Sequence, residues 1–212
     1  VAPYVGYMRQ DAVFRPGEAL SQAVVGKLLG RSAERIVTVN AHLHRVSNLW
    51  AVFRRPGTNI HAAGLFSSRV RALQDPLLIG PDEESAPWVE ALASAAHVQG
   101  VVATKQRKED DRVTVDLPEG LEIKDRDVVF FDDVLSTGNT AVALARAVTR
   151  RRPRSMRLYV AHAVCADAAE ERVRAAGIEE IVSSNSIEHP TNGVDLAVPI
   201  AEALGSLRVQ SV

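Results

Sequence analysis

The stretch Phe130-Phe131-Asp132-Asp133-Val134-Leu135-Ser136-Thr137-Gly138-Asn139-Thr140 holds the residues whose types and spacing are most specific for chemistry in this chain. An apolar run, Val128 to Phe131, ends in two carboxylates; small hydroxyl, glycine and amide residues follow, and the pattern then predicts a helix over Ala141 to Arg150. A strand, a tight loop and a helix start present successive backbone N–H groups and the positive end of a helix dipole, which suit a phosphate monoester. Two carboxylates cannot lie against that phosphate. They suit the hydroxyls of an attached sugar, or a metal ion held beside them, so the segment reads as a site for a phosphorylated sugar. The bland alternative is a strand-to-helix turn with Ser136 or Thr137 as N-cap. Such a turn needs neither two acids nor four small residues together.

Four other segments carry candidate chemistry. Pro3-Tyr4-Val5-Gly6-Tyr7-Met8-Arg9-Gln10-Asp11, continuing to Phe14, Gly17 and Glu18, offers aromatic rings for a base and a cation for phosphate. Thr38-Val39-Asn40-Ala41-His42-Leu43-His44 ends a strand in a His-x-His pair. Alternating side chains put the two rings on opposite faces, so one histidine near a phosphate or Mg²⁺ fits better than a shared ion, with a satisfied core histidine as the alternative. In Ala103-Thr104-Lys105-Gln106-Arg107 the two cations share one side of an extended chain, where they can neutralise charge on a transferred phosphoryl group; a solvated basic turn is the plain reading. In Gly80-Pro81-Asp82-Glu83-Glu84-Ser85, Asp82 can carry Mg²⁺.

Strands alternating with helices must position these groups. Helical spacing predicts helices over 18–29, 62–73, 87–96, 141–150, 168–176 and 199–204, and apolar runs predict strands over 35–39, 77–80, 101–104, 128–131, 156–164 and 181–182. That order predicts an α/β fold with a mainly parallel sheet. Asn40, Asp82, Lys105 and Asp132 fall at or just past predicted strand ends, where such folds bind ligands, so one shared crevice is expected. The polar stretch 108–120 reads as a mobile loop or hairpin over a site. With 212 residues, 46% of them hydrophobic, the chain can bury one large or two small cores. A formal net charge of −1 gives no bulk attraction to nucleic acid or to a membrane, and the run Arg150-Arg151-Arg152-Pro153-Arg154 suits the end of a helix. The single cysteine, Cys165, precludes an intramolecular disulfide and fits a reducing, cytoplasmic setting. The opening Val1-Ala2-Pro3-Tyr4 lacks an initiator methionine, as a fragment would.

The five segments, in this order, resemble the ribose-phosphate pyrophosphokinases, within the phosphoribosyltransferase superfamily. Tyr4 to Asp11, Thr38 to His42, Pro81-Asp82, Lys105-x-Arg107 and Asp132 to Thr140 each match a family segment. Ala161 to Val164, Ser184 to Ile187 and Val198 to Leu204 are later echoes. The resemblance implies two phosphoribosyltransferase-like domains with mainly parallel sheets flanked by helices, the first incomplete. Residues 1–58 would be the remainder of the N-terminal domain, 59–198 the C-terminal domain with the ribose 5-phosphate loop, and 199–212 a helix and tail packing on the former. It implies transfer of a diphosphoryl group from Mg·ATP to the C1 hydroxyl of ribose 5-phosphate. Asp132 and Asp133 would bind the ribose hydroxyls and Ser136, Thr137, Gly138, Asn139 and Thr140 the 5-phosphate. Arg9, Gln10, Asp11 and His42 would bind ATP, His42 and Asp82 would meet Mg²⁺, and Lys105 and Arg107 would stabilise the transition state. A homo-oligomer is expected.

Three departures stand out: Asn40 replaces the usual acid, Glu83-Glu84-Ser85 replaces a glycine-rich turn, and Ser136 stands where many bacterial members carry aspartate. The short segment after Arg107 looks closer to the archaeal-type branch. A nucleobase phosphoribosyltransferase shares the Asp132–Thr140 loop but consumes the diphosphate. A non-catalytic regulatory subunit is the other alternative, favoured by Asn40 and opposed by Lys105 and Arg107.

Overall fold

The structure, a computed structural model, describes residues 1–13, 15–43, 45–46, 48–107 and 113–209. Phe14, His44 and the 108–112 part of the expected loop lie outside the described residues, as do the side chains of Lys105 and Arg107. In chain order the elements are α1 (Ser21–Ser32), β1 (Ile36–Val39), α2 (Leu49–Phe53), β2 (Gly57–Ile60), α3 (Ser67–Arg71), β3 (Pro76–Gly80), α4 (Ala86–Ala96), β4 (Gln99–Val102), β5 (Thr104–Arg107), β6 (Val113–Asp116), β7 (Asp127–Leu135), α5 (Asn139–Thr149), β8 (Ser155–Ala163), α6 (Ala169–Ala175), β9 (Glu180–Ser184), β10 (Asn192–Val194) and α7 (Ala197–Val209). They form two compact units, Val1–His61 with Asp195–Val212, and Ala62–Val194.

In the first unit β1 and β2 pair in parallel, Ile36 opposite Gly57 through Val39 opposite Ile60. All four β1 side chains are buried, which is why Ile-Val-Thr-Val shows no polar alternation. The N-terminal segment runs beside β1, the Ala2 N–H donating to the Val37 carbonyl (2.8 Å) and the Val39 N–H to the Pro3 carbonyl (2.9 Å). Helix α1 meets α2 through two glycines. A Cβ on Gly26 would lie 2.5 Å from the Val52 carbonyl oxygen, and one on Gly30 only 1.9 Å from that of Phe53. Helix α2 is capped by Asn48, whose side chain accepts from the Ala51 N–H (3.0 Å). Val5, Met8, Ile36, Ala41, Leu49, Val52 and Phe53 form the core, and α7 belongs to this unit.

The second unit is a six-stranded parallel sheet in the order β10-β9-β8-β7-β3-β4, plus the antiparallel β5–β6 hairpin. Leu77, Ile79, Val128, Phe130, Leu158 and Val160 join Leu144, Ala145 and Val148 of α5 and Val173 of α6 in one core. Leu78, Val129, Phe131 and Tyr159 are also buried, and there Phe66 meets Phe131 edge-on (centroids 5.5 Å) and stacks on Tyr159 (5.6 Å). Covering both faces requires the near-continuous apolar runs that mark these strands in the sequence.

Three expectations are corrected. Strand β7 continues to Leu135 instead of ending at Phe131, so both acids lie within the strand, where it still pairs with β8 through Leu135 opposite Ala163. The helix expected over 62–73 is a 3-10 turn, Ala63–Phe66, followed by the short α3. The strand expected over 101–104 is two elements, β4 and β5, split at Ala103, whose N–H donates to the Gly80 carbonyl (2.9 Å). Among the described residues no helix is long and apolar enough to cross a membrane.

Candidate functional site

The sheet of the second unit has one point where its order reverses. From β3 the chain moves outward to β4, and it then returns to the other side of β3 as β7 and continues through β8, β9 and β10. The carboxyl ends of neighbouring β3 and β7 therefore open a crevice, the place where open parallel sheets bind ligands. Pro81-Asp82 follows β3 at the level where the register places Asp132-Asp133 of β7, and Ser136–Thr140 follows the longer β7 further on, so the topology sets Pro81-Asp82 beside the two aspartates.

The loop after β7 is shaped by its carbonyls. The Leu135 oxygen accepts from the Val164 (3.0 Å) and Cys165 (2.9 Å) N–H groups, Ser136 from Ala166 N–H (3.0 Å), Thr137 from Arg172 Nη2 (2.6 Å), and Gly138 from Val142 N–H (2.9 Å). Because a peptide unit is planar and trans, pinning each carbonyl turns the following N–H the opposite way. The N–H groups of residues 136–138 thus each point away from the partner that holds the preceding carbonyl, while the Asn139 N–H donates to Thr137 Oγ1 (3.5 Å). Gly138 is the N-cap of α5 with no side-chain cap, and its φ of +80° is one that only glycine adopts without strain. Its missing Cβ is also required by packing, since a Cβ would lie 2.8 Å from Val173 Cγ2. Thr137 and Asn139 are exposed, while Ser136 and Thr140 are half-buried. Consecutive amides at the start of an eleven-residue helix suit a phosphate dianion.

Asp132 is half-buried and Asp133 is 3% exposed, and the Asp133 N–H donates to Asp132 Oδ1 (2.8 Å). As successive strand residues their side chains leave opposite faces, so the two carboxylates have different surroundings. Asp82 is half-buried and forms a reciprocal cap with Ser85 over the 3-10 turn Glu83–Ser85. Gly80 allows that turn to fold back, because a Cβ there would lie 2.1 Å from Ser85 Oγ. Glu83 and Glu84 face solvent. Lys105 and Arg107 fall on β5, opposite Val115 and Val113 of β6, directly after the β4 end. At the amino end of β7, away from the loop, Asp127 is fixed by the Ser155 hydroxyl (2.7 Å) and the Gln74 N–H (2.8 Å). Burial raises its pKa, but those two hydrogen bonds and the Arg157 and Arg154 guanidinium groups hold it below the usual carboxylate value. Burial, with Glu170 nearby, pushes the Cys165 thiol up, which suits a packing role beside the loop.

In the first unit the structure gathers the Arg9-Gln10-Asp11 and His42 segments. Gln22 of α1 ties them, its Nε2 donating to the Met8 carbonyl (3.1 Å) and the His42 carbonyl (3.4 Å). Its own N–H donates to the Gln10 carbonyl (3.2 Å), and the Ser21 hydroxyl donates to Gln10 Oε1. Arg9 and Tyr7 are exposed, Gln10 is half-buried and His42 is buried. The Asp11 side chain is wholly enclosed and its Oδ1 meets Arg45 Nη1 at 2.5 Å, with the Arg45 side chain 51% exposed. Asp11 thus holds Arg45 and does not itself present an oxygen outward. Gln22, Arg45 and Arg172 were missed in the sequence; an (i, i+34) ion pair and a buried glutamine on a polar-looking helix leave no local signal.

The alternation of the sheet, its reversal point and the cradle after β7 define a phosphoribosyltransferase-type domain, and the phosphoribosyl transferase domain family model matches residues 51–199. The chain is 32% identical over 210 residues to the ribose-phosphate pyrophosphokinase of Methanopyrus kandleri, covering 98% of this chain and 71% of that protein. It is 33% identical over 203 residues to ribose-phosphate pyrophosphokinase 2 of Archaeoglobus fulgidus, covering 95% of this chain and 72% of the other. The fold is similar to that of phosphoribosylpyrophosphate synthetase from Mycobacterium smegmatis, with a TM-score of 0.80 at 21% identity over 99% of this chain and 70% of that one. The chain belongs to the ribose-phosphate pyrophosphokinase family.

Proposed function

We propose that this chain transfers the diphosphoryl group of Mg·ATP to the C1 hydroxyl of ribose 5-phosphate, giving phosphoribosyl diphosphate and AMP. One observation carries the reading: at the sheet's reversal point, four consecutive carbonyls are tied back, shortly after paired aspartates, and in this reading the Ser136, Thr137 and Gly138 N–H groups beside them are what a phosphate would meet. The relatives' names and a match that runs through both units support it over a nucleobase phosphoribosyltransferase. The C1 oxygen attacks the β-phosphorus, the bond from that phosphorus to the oxygen bridging to the α-phosphorus breaks, and AMP leaves with that oxygen while the hydroxyl proton is released. Little covalent work falls to the protein, so rate comes from positioning and charge neutralisation.

In this reading Asp132 and Asp133 hold the ribose hydroxyls and Ser136–Thr140 the 5-phosphate. Arg9, Gln10 and His42 hold the ATP phosphates; Asp11 serves them by fixing Arg45. Lys105 and Arg107 stabilise the charge that develops on the transferred group. Among the described residues no three His, Cys, Asp or Glu side chains gather as a metal cage. That donor set fits Mg²⁺ carried by ATP phosphates, which keeps waters and takes few protein ligands. In the second unit Asp82 would supply an oxygen, and the ion would neutralise polyphosphate charge when bound. A cytoplasmic homo-oligomer completes the proposal.

The test is AMP formation from ATP and Mg²⁺, with and without ribose 5-phosphate, on wild-type protein and Lys105→Ala. AMP that requires ribose 5-phosphate and collapses in the variant is the expected result. Ribose 5-phosphate binding with no AMP would sink the reading in favour of a transferase or a regulatory subunit.

A further inference from the structure

Three of the four pinned carbonyls in the loop after β7 are held by backbone N–H groups, which no side-chain substitution removes. The fourth, Thr137, is held by a side chain from another helix: Arg172 Nη2 at 2.6 Å, while Nη1 of the same guanidinium reaches the Asp167 carbonyl at 3.3 Å. The Thr137–Gly138 peptide is also the one most able to turn over, because Gly138 at φ +80° tolerates both signs of φ. Fixing the Thr137 carbonyl fixes the Gly138 N–H in the opposite direction. Ala169 and Val173 of the same helix fill the space beside Gly138. Helix α6 therefore backs the cradle through packing at Gly138 and through one guanidinium at Thr137.

We propose that Arg172 is a positioning residue for the phosphate of ribose 5-phosphate: it aims the Gly138 N–H by holding the Thr137 carbonyl, without touching the reacting atoms. This rests on the ribose 5-phosphate reading of the loop. A two-point guanidinium clamp suits the task, since its planar fork holds two carbonyls in a fixed geometry that a lysine cannot reproduce. Losing it leaves the cradle's other three peptides in place, so binding weakens without being abolished.

The experiment compares wild type, Arg172→Ala, Arg172→Lys and Arg174→Ala. Arg174 lies on the same helix, with its own exposed ion pair to Glu170 (2.8 Å) and a hydrogen bond to the Glu179 carbonyl (3.0 Å), and among the described residues its hydrogen bonds go to these two and not to the loop. Ribose 5-phosphate binding by calorimetry and the KM and kcat of AMP formation are measured, with thermal unfolding for each variant. The expectation is a rise of about tenfold in Kd and KM for ribose 5-phosphate in Arg172→Ala, corresponding to about 1.4 kcal/mol, with kcat and the KM for ATP changed less than about twofold. Arg172→Lys recovers part of the loss and Arg174→Ala shows none. An unchanged Kd in a folded Arg172→Ala variant overturns the proposal, as does an equal effect in Arg174→Ala. Wild type that binds ribose 5-phosphate but makes no AMP overturns the diphosphoryl-transfer reading, and the Kd comparison still decides the role of Arg172. Wild type that binds no ribose 5-phosphate overturns both.

Discussion

Replacing Gly138 by alanine sets two physical demands of the cradle against each other. At φ +80° a Cβ meets the steric penalty of the left-handed region, roughly 1–2 kcal/mol. The same Cβ would sit 2.8 Å from Val173 Cγ2 and 3.3 Å from the Ala169 carbonyl oxygen, in a core where Val173 is fully buried. Overpacking of that kind adds on the order of 1 kcal/mol or more. The total of about 2–3 kcal/mol should lower Tm by roughly 5–10 °C for a chain of this size. Urea unfolding and ribose 5-phosphate binding of Gly138→Ala, Val173→Ala and the double variant separate the two terms. Removing Cγ2 relieves the contact, so the double variant should be less destabilised than the sum of the singles by about 1 kcal/mol. Gly205→Ala is the opposite control: nothing lies within 4 Å of that Cβ in α7, and the substitution should stabilise by roughly 0.5–1 kcal/mol. Strict additivity between Gly138→Ala and Val173→Ala would refute the packing argument. Unchanged stability and unchanged binding in Gly138→Ala would refute the account of the loop.

Other outcomes follow from the same geometry. Lys105→Ala should reduce kcat for AMP formation at least about 100-fold, near 3 kcal/mol, with ribose 5-phosphate affinity kept; a loss below tenfold in steady-state assays would remove Lys105 from the transition state. Asp127 binds its proton more weakly folded than unfolded, so the unfolded chain takes up protons first as pH falls through 3.8 and below. Its contribution is present above that value and lost on acidification, and urea unfolding of Asp127→Asn should show a flatter loss of stability between pH 5 and 3 (roughly that window) than wild type. Arg45→Ala leaves the enclosed Asp11 carboxylate without its cation and should cost roughly 1–2 kcal/mol, allowing for the exposure of Arg45. Adding Asp11→Asn should recover part of that, read by the urea midpoint.

The α/β alternation and the loop after β7 were legible because their signals are local: apolar runs, a glycine, hydroxyls before a helix. Elements that rest on distant partners were not. Strand β7 looked finished at Phe131 because aspartate is a poor strand former, yet β8 continues to pair with it to Leu135. Helix α2 is too short for a period and ends at Arg54 in the left-handed conformation without a glycine to mark it. Strand β10 is three residues long, held because Asn192 donates to the Ser184 and Ile187 carbonyls (2.7 and 2.9 Å). Helix α7 begins two residues before Pro199, since proline fits the first turn, where its missing N–H has no intrahelical partner. In the site, Asp11 belongs to a motif by its neighbours, and only the fold encloses it against Arg45.

The first unit is split in the chain: its opening 61 residues are made before the second unit, and the segment from Asp195 after it. A ribosome therefore finishes the whole second unit while the first still lacks α7. At synthesis rates of about 5–20 residues per second, the intervening stretch from Ala62 to Val194 takes roughly 7–27 s to emerge. During that interval the β1–β2 pair waits with its α7 side uncovered, a natural target for holding chaperones. The second unit, continuous in the chain, can close its own core meanwhile, so in a growing polypeptide Ala62–Val194 matures before the unit whose first residues precede it.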